Sequence, residues 1–166
     1  MLTKRQFLNS AVSFAALGSL AGIATSRTAL AASSRTFEVT RTEAEWKKSL
    51  TPEQFAVLRK HSTERAGSSP LDKESRKGVF HCGGCDLAVY DSGAKYDSGT
   101  GWPSFYSAID GAIGTLSDNT LFISRTEIHC RRCGGHLGHL FDDGPKPTGK
   151  RHCLNGVALL FRPAVA

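Results

Sequence analysis

Five cysteines dominate the chemistry this chain can offer, and their spacing divides them into two pairs and a single residue: Cys82-Gly83-Gly84-Cys85, Cys130-Arg131-Arg132-Cys133, and Cys153 alone. A two-residue loop lets both thiolates of a pair reach one ion at about 2.3 Å, and two such hooks complete the tetrahedral four-sulfur shell of Zn²⁺. Glycines after Cys82 and Cys133 suit the tight turns that hooks need. Four thiolates leave no open position for water or substrate, so the implied ion is structural. A disulfide pair or a thioredoxin-like dithiol would use the same residues. Neither hook sits in a strand-helix-strand context, and two matched hooks favour a shared metal.

Cys153 is left over, within Lys150-Arg151-His152-Cys153-Leu154-Asn155, where neighbouring positive charge favours the thiolate. A lone cysteine is more often a small buried hydrophobe. The company Cys153 keeps reverses that expectation. Ser98-Gly99-Thr100-Gly101-Trp102-Pro103-Ser104-Phe105, then His136-Leu137-Gly138-His139-Leu140-Phe141-Asp142-Asp143-Gly144-Pro145, then Arg151-His152-Cys153-Leu154-Asn155 occur in that order, interleaved with the two hooks. The ordered set closely resembles the methionine-R-sulfoxide reductase (MsrB) family. The resemblance runs from about Phe37 to Phe161 and includes Leu50-Thr51-Pro52-Glu53-Gln54 and Thr63-Glu64-Arg65.

That resemblance implies a zinc-containing peptide-methionine (R)-S-oxide reductase that repairs oxidised proteins. Cys153 would attack the sulfoxide sulfur, releasing methionine and leaving a cysteine sulfenic acid. His136 and His139 would deliver the proton that the departing oxygen needs, and Asn155 would hydrogen-bond substrate or its water. Trp102 and Phe141 would enclose the S-methyl group, and Arg151 would favour the thiolate. Many family members carry a resolving cysteine where this chain has Thr100. With the hooks assigned, no second free cysteine remains, so an external thiol, a thioredoxin-like protein or a small molecule, must reduce the sulfenic acid.

The elements that hold these residues are legible in outline. Thr42-Glu43-Ala44-Glu45 and Thr51-Pro52-Glu53-Gln54 each match a capping box, the second with proline at the first helical position. They predict two short helices that turn Trp46, Leu50, Phe55, Val57 and Leu58 inward and Arg59, Lys60 and Arg65 toward water. From Gly78 the pattern shortens to runs such as Val79-Phe80, Leu87 to Tyr90, Thr120 to Ile123 and Val157 to Phe161, between glycine and aspartate turns. The last is continuous enough to predict a buried central strand. The expected fold is therefore mainly β, with short N-terminal helices and a structural zinc knuckle. The family resemblance implies two twisted antiparallel sheets.

Residues 1–31 place Lys4 and Arg5 before a weakly apolar run and end in Ala29-Leu30-Ala31, the pattern of an export signal peptide. Thr3-Lys4-Arg5-Gln6-Phe7-Leu8 resembles a twin-arginine signal with one arginine replaced by lysine. The run is shorter than the ~20 apolar residues a membrane span requires. A periplasmic or otherwise exported, monomeric protein is expected, with its reductase domain over residues 36–163. Lys4, Arg5 and Arg27 supply half of the net charge of +6 in 166 residues, and the remaining bases mix with 15 acids. This reads as a solvated surface and not as a nucleic-acid stripe. The competing reading is a non-catalytic zinc-ribbon-like binding module that presents Arg131, Arg132, Lys146, Lys150 and Arg151 to a partner.

Overall fold

A computed structural model describes residues 36–119 and 124–165, so the expected signal peptide and the expected strand over residues 120–123 lie outside the described residues. Both capping boxes form as the sequence predicts. Thr42 caps α1 (Glu43–Ser49) and Thr51 caps α2 (Pro52–Lys60), each hydroxyl accepting from the N3 amide while the N3 side chain returns to the cap N–H. Trp46, Leu50, Phe55, Val57 and Leu58 are buried. Arg59 departs from its expected outward course: its guanidinium donates to the Cys133 carbonyl at 3.0 Å and lies over the Trp46 ring. The arginine thus ties α2 to the second cysteine hook.

The rest is mainly β, in two antiparallel sheets. β1 (Gly78–Cys82), β2 (Ala88–Asp91) and β9 (Leu159–Pro163) form a three-stranded sheet in the order β2-β1-β9. β3 (Lys95–Tyr96), β4 (Ser104–Phe105), β5 (Ile113–Asp118), β6 (Arg125–Cys130), β7 (His136–Phe141) and β8 (Arg151–Leu154) form a six-stranded sheet ordered β3-β4-β8-β7-β6-β5. The sheets meet through aromatic rings. Phe105 of the larger sheet sits edge-on to Phe80, centroids 5.0 Å apart, and against Tyr90 at 4.5 Å, with all three fully buried. Rings of this size bury 150–250 Å² each by the usual measure, so three of them supply much of the inter-sheet contact.

The run Val157 to Phe161 does not form the central strand its apolar character suggested. Gly156–Ala158 is a single 3₁₀ turn, and β9 follows at the edge of the smaller sheet, with Leu160 40% exposed. The turn is imposed from outside the run, because the Gly156 and Val157 amides both donate to the Glu64 carboxylate and are withdrawn from any ladder. No helix among the described residues is long and apolar enough to cross a membrane.

Candidate active site

The two hooks occupy equivalent places, one at the end of β1 and the other at the end of β6. In each, the residue four after the first cysteine donates its N–H back to that cysteine's carbonyl, Asp86 to Cys82 at 2.8 Å and Gly134 to Cys130 at 2.9 Å. Those residues take left-handed backbone, φ +60° and +67°. Gly83 and Gly84, which the sequence suggested for this role in the first hook, do not; Asp86 serves instead, an exception aspartate tolerates better than most residues. At Gly134 a Cβ would stand 2.3 Å from the Phe37 ring, so glycine is required there twice over.

The hooks bring four sulfurs into one cluster, with Cys82 and Cys133 Sγ 3.7 Å apart and Cys85 and Cys130 Sγ 3.5 Å apart. Such separations are far longer than the roughly 2.05 Å of a disulfide. They fit the edges of a tetrahedron whose centre lies about 2.3 Å from each sulfur. Cys82, Cys130 and Cys133 are buried, Trp46 and Leu58 cover the cluster, and all four ligand atoms lie within 4.8 Å of one another. The donor set can hold a metal such as zinc.

Cys153 lies in the middle of the larger sheet. Strand alternation on β8 turns Arg151 and Cys153 one way and His152 the other, where the His152 Nδ1 meets the Tyr90 hydroxyl at 3.1 Å in the inter-sheet core. His152 therefore lends no charge to the thiol, and Lys150 is paired with Asp142. Burial pushes the Cys153 thiol up, and the nearby Arg151 guanidinium and Thr100 hydroxyl pull it back only in part. The expected thiolate-favouring charge is thus present but outweighed. Arg151 is itself fixed by two 2.8 Å bonds to Asp143 and by the Phe141 ring, 4.3 Å away.

Opposite Cys153 on β7 stands His139. In a flat strand His136, three residues earlier, would face the other side of the sheet. The β6–β7 ladder instead pairs Ile128 with Gly138 and His129 with His136, skipping Leu137. The resulting bulge brings the two imidazoles edge-to-face with centroids 5.2 Å apart. Gly138 lets β8 approach closely, since a Cβ there would lie 2.0 Å from the Cys153 carbonyl oxygen.

Both histidines are held by carboxylates that sequence reasoning did not select. His139 Nε2 lies 2.9 Å from Asp118 Oδ2, which also accepts from Arg125, and His136 Nδ1 lies 2.8 Å from Glu127 Oε1. A carboxylate only accepts, so each contacting nitrogen carries the hydrogen. His61, the left-handed C-cap of α2, reaches the same Glu127 oxygen at 3.1 Å. Burial raises Glu127, but bonds from His136 and His61 overcome it and hold the carboxyl at about 2. Burial lowers His139, against the pull of Asp118. Glu127 lies on β6 beside β7 and Asp118 on β5, one strand further out, placements that no local pattern disclosed.

Cys153, His139, Trp102, Phe141 and Asn155 line one cavity of about 160 Å³, together with Thr63 and Arg125. Arg151 does not line it but acts on the Cys153 thiol through its charge, and His136 stands behind His139, buried, with its Nε2 unpartnered among the described residues. A larger cavity of about 970 Å³ runs between α2 and β9, but neither cysteine nor histidine lines it. Residue Glu64 frames the smaller one: its N–H donates to Asn155 Oδ1 at 2.9 Å and its carbonyl accepts from Trp102 Nε1 at 3.1 Å. Of the cations that could build a basic surface, Arg132 bonds the Cys85 carbonyl, and Lys150 and Arg151 pair with acids.

Comparison with known proteins shows the family of the chain. Residues 50–163 match the SelR domain family. The chain is 46% identical over 127 residues to the peptide methionine sulfoxide reductase MsrB of Leptospira interrogans, an alignment covering 76% of this chain and 97% of that protein. It is 50% identical over 125 residues to the protein of the same name from Methanosarcina barkeri, covering 75% and 88%. Against the chloroplastic peptide methionine sulfoxide reductase B1 of Arabidopsis thaliana it is 50% identical over 118 residues, covering 70% and 58%. The cysteine cluster, the histidine pair and the lone thiol thus belong to a chain that is a member of the SelR, or MsrB, family.

Proposed function

We propose that the protein reduces methionine-R-sulfoxide to methionine with Cys153 as nucleophile. The observation that carries this reading is the small cavity in which a thiol, an imidazole, an indole and a carboxamide converge. At rest the thiol is pushed up and His139 down, so the pair is neutral at physiological pH. His139 and Cys153 face each other across the ladder, within the roughly 5 Å that separates Cβ atoms of such pairs. As the thiol attacks sulfur its proton passes to His139 and on to the sulfoxide oxygen. Attack forms a bond between the two sulfurs. The protonated oxygen then passes from the methionine sulfur to the cysteine sulfur as the sulfur–sulfur and methionine S–O bonds break, so methionine leaves with a sulfur electron pair and Cys153 is left as a sulfenic acid. Asn155 orients the oxygen, Trp102 and Phe141 enclose the methyl group, and His136 braces His139. An external thiol then attacks the sulfenic acid, releasing water and forming a mixed disulfide that a second thiol reduces.

Zinc is the metal this donor set suits; when bound it would close the two hooks and take no part in the reaction. Residues 1–31 act as an export signal and residues 36–163 as the reductase domain, which supports repair of oxidised proteins in the cell envelope. The internal pairing of Arg132, Lys150 and Arg151 weighs against a nucleic-acid-binding module. The test is an assay with each sulfoxide epimer and dithiothreitol. R-sulfoxide should be consumed and S-sulfoxide left, and the reverse preference refutes the proposal.

A further inference from the structure

Thr63 forms part of the rim of the reactive cavity, and the next residue, Glu64, makes four hydrogen bonds, two of them with Trp102 and Asn155 of the cavity wall and two with the turn that follows Asn155. Its backbone N–H donates to Asn155 Oδ1 at 2.9 Å, and its backbone carbonyl accepts from the Trp102 indole at 3.1 Å. Its carboxylate accepts from the Gly156 amide at 2.5 Å and the Val157 amide at 3.0 Å, the two that open the turn following Asn155. Charge-assisted bonds of this type are the stronger class, so the side chain anchors the backbone that bears the other two contacts. Asn155 Nδ2 donates to the Leu137 carbonyl at 3.2 Å, so its oxygen must point toward residue 64. Residue 64 is separated from these partners by 38 to 93 positions in the chain, which makes the clasp entirely tertiary.

We propose that Glu64 is a positioning residue for this reaction: its carboxylate locks the rim segment so that its own amide and carbonyl fix Asn155 and Trp102, setting affinity for the sulfoxide's methyl and oxygen groups. The proposal rests on the reductase reading above. Glu64 touches no reacting atom, and its effect passes through Trp102 and Asn155. Because the indole and carboxamide contact substrate in ground and transition states alike, loosening them weakens uniform binding and raises KM more than it lowers kcat.

The test uses the full chain and its Glu64→Gln variant, which keeps size but can accept only one of the two amides. In that variant KM for methionine-R-sulfoxide should rise about tenfold with kcat changed less than about threefold. The alkylation rate of Cys153 should stay at its wild-type value. Solvent exchange of the Trp102 indole N–H, followed by ¹⁵N NMR and assigned with Trp102→Phe, should quicken about tenfold as its acceptor loosens. A KM within about twofold of wild type, or unchanged indole exchange, overturns the proposal. A fall in kcat alone also overturns it. If wild-type protein reduces neither epimer, the reductase reading fails, yet indole exchange is read without substrate and still decides the clasp.

Discussion

Two thiol sites share one small domain, and they are built in opposite ways. The four-cysteine cluster is assembled from two local turns, each self-bonded within five residues, and only the meeting of β1 and β6 ends is tertiary. The Cys153 cavity draws on Thr63, Trp102, His139 and Asn155 from separate segments, with Glu64, Asp118 and Glu127 behind them. The cluster can be satisfied by any chain that makes two tight hooks. The reactive thiol depends on strand register, a bulge and a bridging rim segment, so its chemistry is tuned by burial and neighbours. Sulfur is fixed in the first case and poised in the second.

The largest expected effects separate the two sites. Cys153→Ser should lower dithiothreitol-supported turnover by at least about 10³-fold while leaving metal content and melting temperature unchanged. Cys130→Ser, or stripping metal with a chelator, should lower the melting temperature by roughly 10 °C or more and take activity with it, because bound metal contributes to folding free energy. Calorimetry beside metal analysis reads both, and a Cys153→Ser protein that keeps its turnover would break the comparison. The capping boxes at Thr42 and Thr51 and the spacing of the hooks were legible because their signals are local, set by three- or four-residue offsets. The pairing of Glu127 with His136 was not, since nine residues and a turn separate them.

A second substitution tests whether the poised site lacks only a partner sulfur. Thr100 stands near enough to Cys153 to lower its thiol, so Thr100→Cys should form an internal disulfide after one round of R-sulfoxide, losing two titratable thiols. Wild-type protein should instead give a sulfenic acid that dimedone labels, and mass spectrometry distinguishes the products. A smaller change concerns charge. Arg151 pulls the raised Cys153 thiol back down, so Arg151→Met should move the pH midpoint of Cys153 alkylation upward. Alkylation at pH 7 should slow about three- to tenfold, since one pKa unit is a factor of ten in thiolate.

The smallest expected effect lies at the edge of the histidine network. The hydrogen bond to Glu127 raises His61 above its ordinary 6.5, so its contribution to stability is full below that value and is lost as pH rises through the raised one. His61 is mostly exposed, and His61→Ala should cost less than about 1 kcal/mol in mildly acid buffer and nothing in alkaline buffer. Denaturant titration at the two pH values reads this difference. An equal loss at both would place the role of His61 in packing and not in charge.

The sequence by itself determined the two helices, the division of five cysteines into four and one, and the family, because each rests on short offsets or on an ordered set of motifs. Tertiary structure decided what local pattern misjudged or could not reach. It made the apolar run from Val157 a turn and an edge strand, because Glu64 takes the Val157 amide and that of Gly156 before it. It also set His136 beside His139, because the ladder skips Leu137. Finally, it turned the basic stretch around Cys153 into a half-buried thiol with one effective cation, because alternation along β8 points His152 away and Asp142 takes Lys150. Sequence names the atoms that can react, whereas burial and register, which depend on segments far apart in the chain, decide their charge and direction.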